Sequence, residues 1–573
     1  MQNETAQQIL AIANVTERPT DWNLIDWDKA NRTVSNLRRR IFRAAEQGDL
    51  KKVRSLQKLL LRSYANVVTS VRRVTQTNAG KNTPGVDKIV VKSSKSRGIL
   101  VDFLDQFTPW KPRPARRVYI PKANGKRPLG IPTIVDRCLQ AMVKNALEPF
   151  WEQKFEGTSY GFRPGRGCHD ALQRIYANAC SNKTKKWVVD ADIRGAFDNI
   201  NHDFLLETIG NFPARELLKQ WLKAGVMEEG VFSHTEKGTP QGGVVSPLLA
   251  NIALHGMEEA LAVTKTLPSG KVIVTEAGIK YDKHHHNRGK RAVSRYADDF
   301  VVFCETKDDA ETVVETLKEW LAKRGLELSA EKTRIVHLSE GFDFLGFTVK
   351  QYPDPRTKSG QKLLITPSRK SEQAFRDKLK SKWASLKGQP IATVLKQLNP
   401  VLRGWANYFR VGVSSRTFAR LDHWMHIRER RYARRTPRNK GWPWIKRRYF
   451  GKLNLARNDK WVFGDKTRGT YLLKLSWFPI KRHTLVEGTS SPDNPALRGY
   501  FEKRRTAQAK TLSPSKQKIA RKQNYRCPVC GDTLFNEEEL HVHHVEPKSQ
   551  GGQDTYANLQ LLHLYCHQQV TTS

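Results

Sequence analysis

The chain has 573 residues, and 99 Lys and Arg against 56 Asp and Glu leave a formal charge of +43. An excess of that size on a chain with an ordinary apolar fraction fits a large polyanion as partner, because each neutralised phosphate releases counterions, and it excludes an ordinary small-molecule enzyme. No apolar run approaches the ~20 residues that cross a bilayer, and the polar residues 1–10 do not read as a signal peptide, so the expectation is a cytoplasmic protein without a membrane partner.

In chain order, residues 21–80 are predicted helical, with Leu37, Ile41, Ala44 and Ala45 at helical spacing between basic residues. The turn Asn82-Thr83-Pro84-Gly85 ends that segment. From 86 to 365 short β-rich runs, among them 117–120, 187–189 and 300–304, alternate with helical patterns, an α+β layout. Residues 366–450 read as helical and very basic. Residues 484–520 have the Ser, Pro, Gly and Lys content of a linker. Of the seven cysteines, Cys138, Cys168, Cys180 and Cys304 are scattered and read as buried thiols in a reducing compartment. Cys527, Cys530 and Cys566 fall in a final segment that reads as a separate small domain.

Two acids stand out at the centre. Asp298 and Asp299 sit between two apolar runs, the pattern of a β-hairpin with both carboxylates at its turn. The run 187–189 is followed by Asp190 and Asp192, so a strand-end carboxylate can face that turn across a sheet. Adjacent carboxylates repel, a cost tolerated where a divalent cation neutralises them. Asp192, Asp298 and Asp299 could then hold two Mg²⁺ ions about 4 Å apart for phosphoryl transfer.

These residues carry a resemblance. Tyr296-Ala297-Asp298-Asp299 resembles the signature of reverse transcriptases, and further blocks follow the family's order: Val118 to Lys122 with Gly125 to Pro132, Tyr160 to Arg166, Asp192 to Asp198, Gly238 to Pro247, Glu331-Lys332-Thr333, and Phe344 to Phe347. The set is similar to the proteins encoded by bacterial group II introns. The resemblance implies a right-hand polymerase of fingers, palm and helical thumb. It implies that Lys122 and Arg127 contact the incoming triphosphate, that Phe197 blocks a ribose 2′-OH and so favours dNTPs, and that Gln241 touches nucleotide or template. Asp190 and Asp198 read as structural. The implied divisions are 1–85, a helical extension contacting template and intron RNA; 86–365, fingers and palm; 366–470, thumb and maturase X domain; 471–520, a basic DNA-binding region and linker; and 521–573, the nuclease.

Residues 428–448 hold ten Lys or Arg and one acid, with Tyr432, Trp442 and Trp444 among them. Aromatics interleaved with arginines fit a nucleic-acid groove, where rings stack and guanidinium groups pair with phosphates. Leu398 to Phe409 resembles the X domain of intron maturases. Arg403, Arg434, Arg435, Arg447 and Arg448 are the candidate RNA contacts. The internal run His284-His285-His286 reads as an exposed basic loop.

At the far end, Cys527-x₂-Cys530 and His563-x₂-Cys566 are two paired spacings suited to a structural Zn²⁺. Between and after them, His543-His544, Asn558 and His567 resemble the HNH nuclease motif, a ββα fold around one divalent metal. The resemblance makes His544 the general base, His543 and His567 ligands of a catalytic metal, and Asn558 either a loop pin or an aid at that metal. His563 departs from the usual Cys. Set four residues before His567, it can complete the zinc set or join the catalytic metal. The expected protein is a multifunctional enzyme that copies RNA into DNA, aids splicing of its intron RNA and nicks target DNA, using Mg²⁺ at its catalytic centres and Zn²⁺ in the nuclease. The alternatives are a splicing-only maturase with a silent polymerase, and a reverse transcriptase of a defence system.

Overall fold

The computed structural model describes residues 20–107, 109–122, 125–180, 183–266, 272–274, 291–435, 439–536 and 538–572. The His284–His286 loop and the side chain of Lys122 lie outside the described residues.

The N-terminal segment is helical, as its periodicity predicts. Asp26 and Asp49 start the helices Trp27–Glu46 and Leu50–Leu61, accepting the N–H of Lys29 and of Lys52 at 2.9 Å each. Each carboxylate satisfies a donor that a helix start leaves unpaired. Val34, Leu37, Ile41 and Ala44 line one buried face and meet Val143, Ala146 and Leu147 of the helix Ile134–Lys154. The strands Ala115–Lys122 and Gly125–Ile131 form an antiparallel hairpin, with Arg116 opposite Ile131 and Lys122 opposite Gly125. Val226–Glu228 extends that sheet in parallel.

The central sheet is antiparallel, in the order Arg334–His337, Trp187–Asp192, Asp299–Cys304, Ala292–Tyr296. Alternate residues enter two different cores. Val189, Phe300 and Val302 pack with Val313 and Leu317 of the helix Lys307–Ala322. Val188, Val301 and Phe303 pack with Leu172 and Ile175 of the helix Cys168–Ala179. Burial on both faces explains why these strands read as unbroken apolar runs.

The helices Arg369–Ser385, Ile391–Phe409 and Ser415–Arg435 follow. Phe375 stacks on Trp405 with centroids 4.4 Å apart. Asn399 ties in the next segment, donating to the Tyr471 carbonyl and accepting the Leu473 N–H, both at 2.9 Å. Tyr432, grouped by sequence with the groove aromatics, is instead core: it is buried against Trp383 and Phe463, and its hydroxyl donates to the Gln389 carbonyl at 2.6 Å. Its period within the helix outweighs its basic neighbours.

The linker-like stretch lies along the palm. Arg166 donates to the carbonyls of Gly488 (2.6 Å) and Ser490 (3.0 Å). Asp493 takes both arms of Arg38, at 3.0 and 2.7 Å, while Arg38 also reaches Glu148 at 2.8 Å. The buried Phe501 closes over Gly165, whose φ of +72° and lack of a side chain are both required: a Cβ there would meet the ring at 2.6 Å. The C-terminal segment forms an antiparallel hairpin, Leu540–His544 with Leu559–His563, then the helix Leu564–Thr572. Its buried Cys527, Cys530, Leu534, Leu561, Leu562 and Cys566 share one apolar core with Trp22, Trp27, Ala30, Val67 and Val71 of the N-terminal helices.

Candidate active sites

The ladder makes Asp192 and Asp299 direct partners, and Tyr296 faces Asp299 on the other side. The two-residue turn of the hairpin is Ala297-Asp298, with Ala297 at φ +59°. One of the two expected turn acids therefore occupies the turn, and the other opens the strand. Gly161 lets the Tyr160–Arg166 segment pass under this turn, since a Cβ there would lie 2.3 Å from the Ala297 nitrogen. Arg295 supports the turn from within the protein. It is buried, and its Nη1 donates to the Ala297 carbonyl (3.3 Å) and to Asn251 Oδ1 (3.2 Å). Asn251 in turn donates to the Gly161 carbonyl at 2.8 Å, and Glu156 lies 4.0 Å from the Arg295 guanidinium.

Asp192, Asp298 and Asp299 line a cleft of about 820 Å³ together with Arg127, Phe162, Phe197, Gln241 and Lys332. Removal from bulk water, then the nearby Asp298 and Asp192, push the Asp299 carboxyl up to about 7. Burial and Asp192 also raise Asp298. Two carboxyls raised in this way, beside a third oxygen donor, fit hard divalent cations. Lys332, in a sequence block that gave it no role, is in direct contact with the Asp192 carboxylate. Arg127 Nε donates to Gln241 Oε1 at 2.8 Å, and Gln241 Nε2 donates to Asp198 at 2.9 Å, so a polar relay joins the fingers hairpin to the palm. Asp190 pairs with Arg334 at 3.1 Å. Phe197 is buried at the cleft, edge-on to the exposed Phe162 at 6.1 Å.

In the C-terminal module the ligand atoms of Cys527, Cys530, His563 and Cys566 lie within 4.8 Å of one another. Nδ1 of His563 faces Cys530 Sγ (3.3 Å) and Cys566 Sγ (4.0 Å), while Nε2–H donates to the Thr533 carbonyl at 3.1 Å. A ring nitrogen turned to the thiols, with the other tied to a carbonyl, is the arrangement of a zinc-binding histidine. His563 therefore groups with the cysteines.

The imidazoles of His543 and His567 lie 5.3 Å apart, and His541 lies 5.4 Å from His567. His541 shares a strand face with His543, a two-residue spacing that could have singled it out in sequence. Burial lowers His543 and His567, favouring the neutral form that binds metal. His544 Nε2–H donates to Asp554 at 2.7 Å, which leaves Nδ1 as the acceptor nitrogen. Lys548 holds the other oxygen of Asp554 at 2.6 Å. Asn558 accepts the Glu546 N–H at 2.7 Å and donates to the carbonyls of Glu546 (3.0 Å) and Gln553 (3.1 Å), pinning the loop after His544.

Arg403, Arg434, Arg435, Arg447 and Arg448 are all exposed on the helical region. Arg430 and Arg434 lie over the Trp442 ring, at 4.8 and 5.7 Å, and Lys440 over Trp444 at 6.0 Å. Trp442 and Trp444 are half-buried, so each offers an edge of ring beside cationic groups.

Residues 120–349 match the family described as reverse transcriptase (RNA-dependent DNA polymerase), and 22–104 match the N-terminal domain of reverse transcriptase. Residues 372–450 match the group II intron maturase-specific domain, and 527–573 match HNH endonuclease. The chain is 34% identical to protein YkfC of Escherichia coli (strain K12), over 55% of this chain and 87% of that protein. It is also 34% identical to the group II intron-encoded protein LtrA of Lactococcus lactis subsp. cremoris, over 45% of this chain and about half (53%) of LtrA. Maturase-like protein 1 of Euglena gracilis is 25% identical, over 67% of this chain and 76% of its own length. Among the described residues no helix is long and apolar enough to cross a membrane.

Proposed function

The chain belongs to the group II intron-encoded reverse transcriptases that carry a maturase domain and an HNH module, and we propose that its two centres act in turn on one ribonucleoprotein with intron RNA. The nuclease nicks a strand of target DNA, and the polymerase extends the new 3′-OH with dNTPs on the RNA. The observation that carries this reading is the convergence of Asp192, Asp298 and Asp299 in a cleft that also holds Arg127, Phe197 and Gln241. An intact carboxylate set disfavours a splicing-only protein, and the maturase and nuclease segments disfavour a defence enzyme.

In the polymerase, Asp192, Asp298 and Asp299 would hold Mg²⁺, which when bound stabilises the attacking and leaving oxygens of the transferred phosphoryl group. Lys122 and Arg127 would hold the triphosphate. The Arg127–Gln241–Asp198 relay would fix the finger hairpin over it. Phe197 would fill the space of a 2′-OH. In the nuclease, His543 and His567 would hold the catalytic metal, Mg²⁺ by our reading, and His544 Nδ1 would take a proton from water while Asp554 orients the ring. Zn²⁺ on Cys527, Cys530, His563 and Cys566 would be structural. The exposed arginines of the thumb would bind intron RNA, and the setting is the cytoplasm, beside the DNA to be nicked.

Primer extension on an RNA template tests the reading. Asp298→Asn should abolish synthesis while intron RNA affinity persists, because the phosphate contacts lie elsewhere. Near-normal extension by a folded variant rejects it.

A further inference from the structure

The Cys/His cluster takes all four of its ligand residues from its own module but one of its hydrogen-bond donors from outside it. Arg72, at the end of the N-terminal helix Tyr64–Arg72, is buried, and its Nη2–H donates to Cys566 Sγ at 3.0 Å. The same guanidinium lies 3.8 Å from Glu538 and 4.6 Å from the centre of the Trp27 ring. Other contacts cross the same boundary. Asn31 donates to the Cys530 carbonyl at 3.1 Å, Gln569 donates to the Asn23 carbonyl at 2.6 Å, and Lys81 touches the Tyr565 hydroxyl. Gly531, at φ +64°, abuts Asp28 so closely that a Cβ would lie 1.8 Å from its carboxylate oxygen.

We propose that Arg72 is a positioning residue of the zinc site, supplied by the N-terminal helices, and that the nuclease module and those helices therefore fold and hold metal as one unit. The proposal rests on reading the cluster as a zinc site. Three thiolates and one neutral imidazole around Zn²⁺ carry a net charge of −1, buried here beside the Glu538 carboxylate. A guanidinium that touches both offsets this charge, and its N–H lowers electron density on Cys566 without displacing it. The apolar core shared by Trp22, Trp27, Val67, Cys527, Leu561 and Cys566 transmits the loss of either part to the other. The nuclease would thus ride at a fixed place on the helices to which the sequence resemblance assigns contact with template and intron RNA.

The test uses the full-length, zinc-loaded protein. Zinc transfer to the chromogenic chelator 4-(2-pyridylazo)resorcinol is followed for wild type, Arg72→Met and Arg72→Lys. Arg72→Met should release zinc about tenfold faster or more, the size of effect expected on removing a group that supports a metal ligand. Arg72→Lys should restore part of the difference. Hydrogen exchange on the wild type before and after stripping zinc covers the case of a misfolded variant: the helices Trp27–Glu46 and Tyr64–Arg72 should lose protection together with the hairpin Leu540–His544. Equal release from wild type and a folded Arg72→Met, or helices whose protection ignores zinc removal, overturns the proposal while leaving the zinc reading intact. A wild type that binds no zinc overturns both.

Discussion

The Glu156 carboxylate accepts the backbone N–H of Glu258 at 2.9 Å and so holds two carboxyl-bearing residues together inside the palm. Burial, then the proximity of Glu156, push Glu258 up to about 7 from an ordinary 4.5. Burial raises Glu156 as well. The folded-state value lies above the unfolded one, so this contribution to stability is full below pH 4.5 and is lost as pH rises through about 7. Glu258→Gln, neutral throughout, should flatten the fall in urea midpoint between pH 5 and 8 and gain roughly 2–3 kcal/mol over wild type at the upper end. An equally steep decline in both proteins would contradict the assignment.

Phe197 gives a readout in nucleotide choice. Phe197→Ala opens the space beside the sugar, so discrimination against rNTPs should fall about tenfold or more, equivalent to about 1.4 kcal/mol. Truncating a buried ring also costs stability, so the measured quantity is the ratio of kcat/KM for dNTP and rNTP in the same preparation. An unchanged ratio removes the gate.

The basic face of the thumb is read through salt. Replacing Arg434, Arg435, Arg447 and Arg448 with Gln should weaken intron RNA binding and flatten the plot of log affinity against log salt, by roughly 0.7–0.9 for each phosphate that is no longer neutralised. A slope identical to that of the wild type would place the RNA elsewhere.

In the nuclease, His544→Ala should abolish nicking with zinc content unchanged. Asp554→Asn should lower nicking by a smaller factor, since it disturbs ring orientation without removing the base. Cys527→Ala should lose zinc. His563→Ala should behave like Cys527→Ala, because its Nδ1 faces the thiols. Zinc retained in His563→Ala, with only nicking lost, would assign that ring to the catalytic metal instead.

The cleft carboxylates, the finger hairpin and the paired cysteines were legible because each is a local pattern: a strand period, a two-residue turn, an x₂ spacing. Lys332 on Asp192 and Arg72 on Cys566 were not, since each joins residues far apart in sequence, and no period marks a single long-range pairing. Asp554 and His541 sit within the nuclease motif and could have been found from strand alternation and the short return to His544. Tyr432 was misread because composition describes a neighbourhood, whereas burial depends on which face of the helix a residue occupies. Residues 484–520 have a linker's composition, yet the anchors within them, Asp493 and Phe501, are two side chains that composition averages away.

Those anchors bear on where the gene can be cut. A polymerase freed of its nuclease by stopping near residue 480 would lose Asp493 from Arg38 and Phe501 from above Gly165, and would strip the carbonyls of Gly488 and Ser490 from Arg166. The shortened enzyme would be left with two half-buried arginines short of partners, a defect of the kind that costs a few kcal/mol. A stop placed after Thr506, where the helix Arg498–Thr506 ends, keeps both anchors and the two carbonyls on Arg166. Even then the helices bearing Trp27 and Arg72 would face water with the apolar surface that Leu561 and Cys566 had covered. A nuclease-free version of this enzyme calls for a redesigned N-terminal surface as well as a new stop codon.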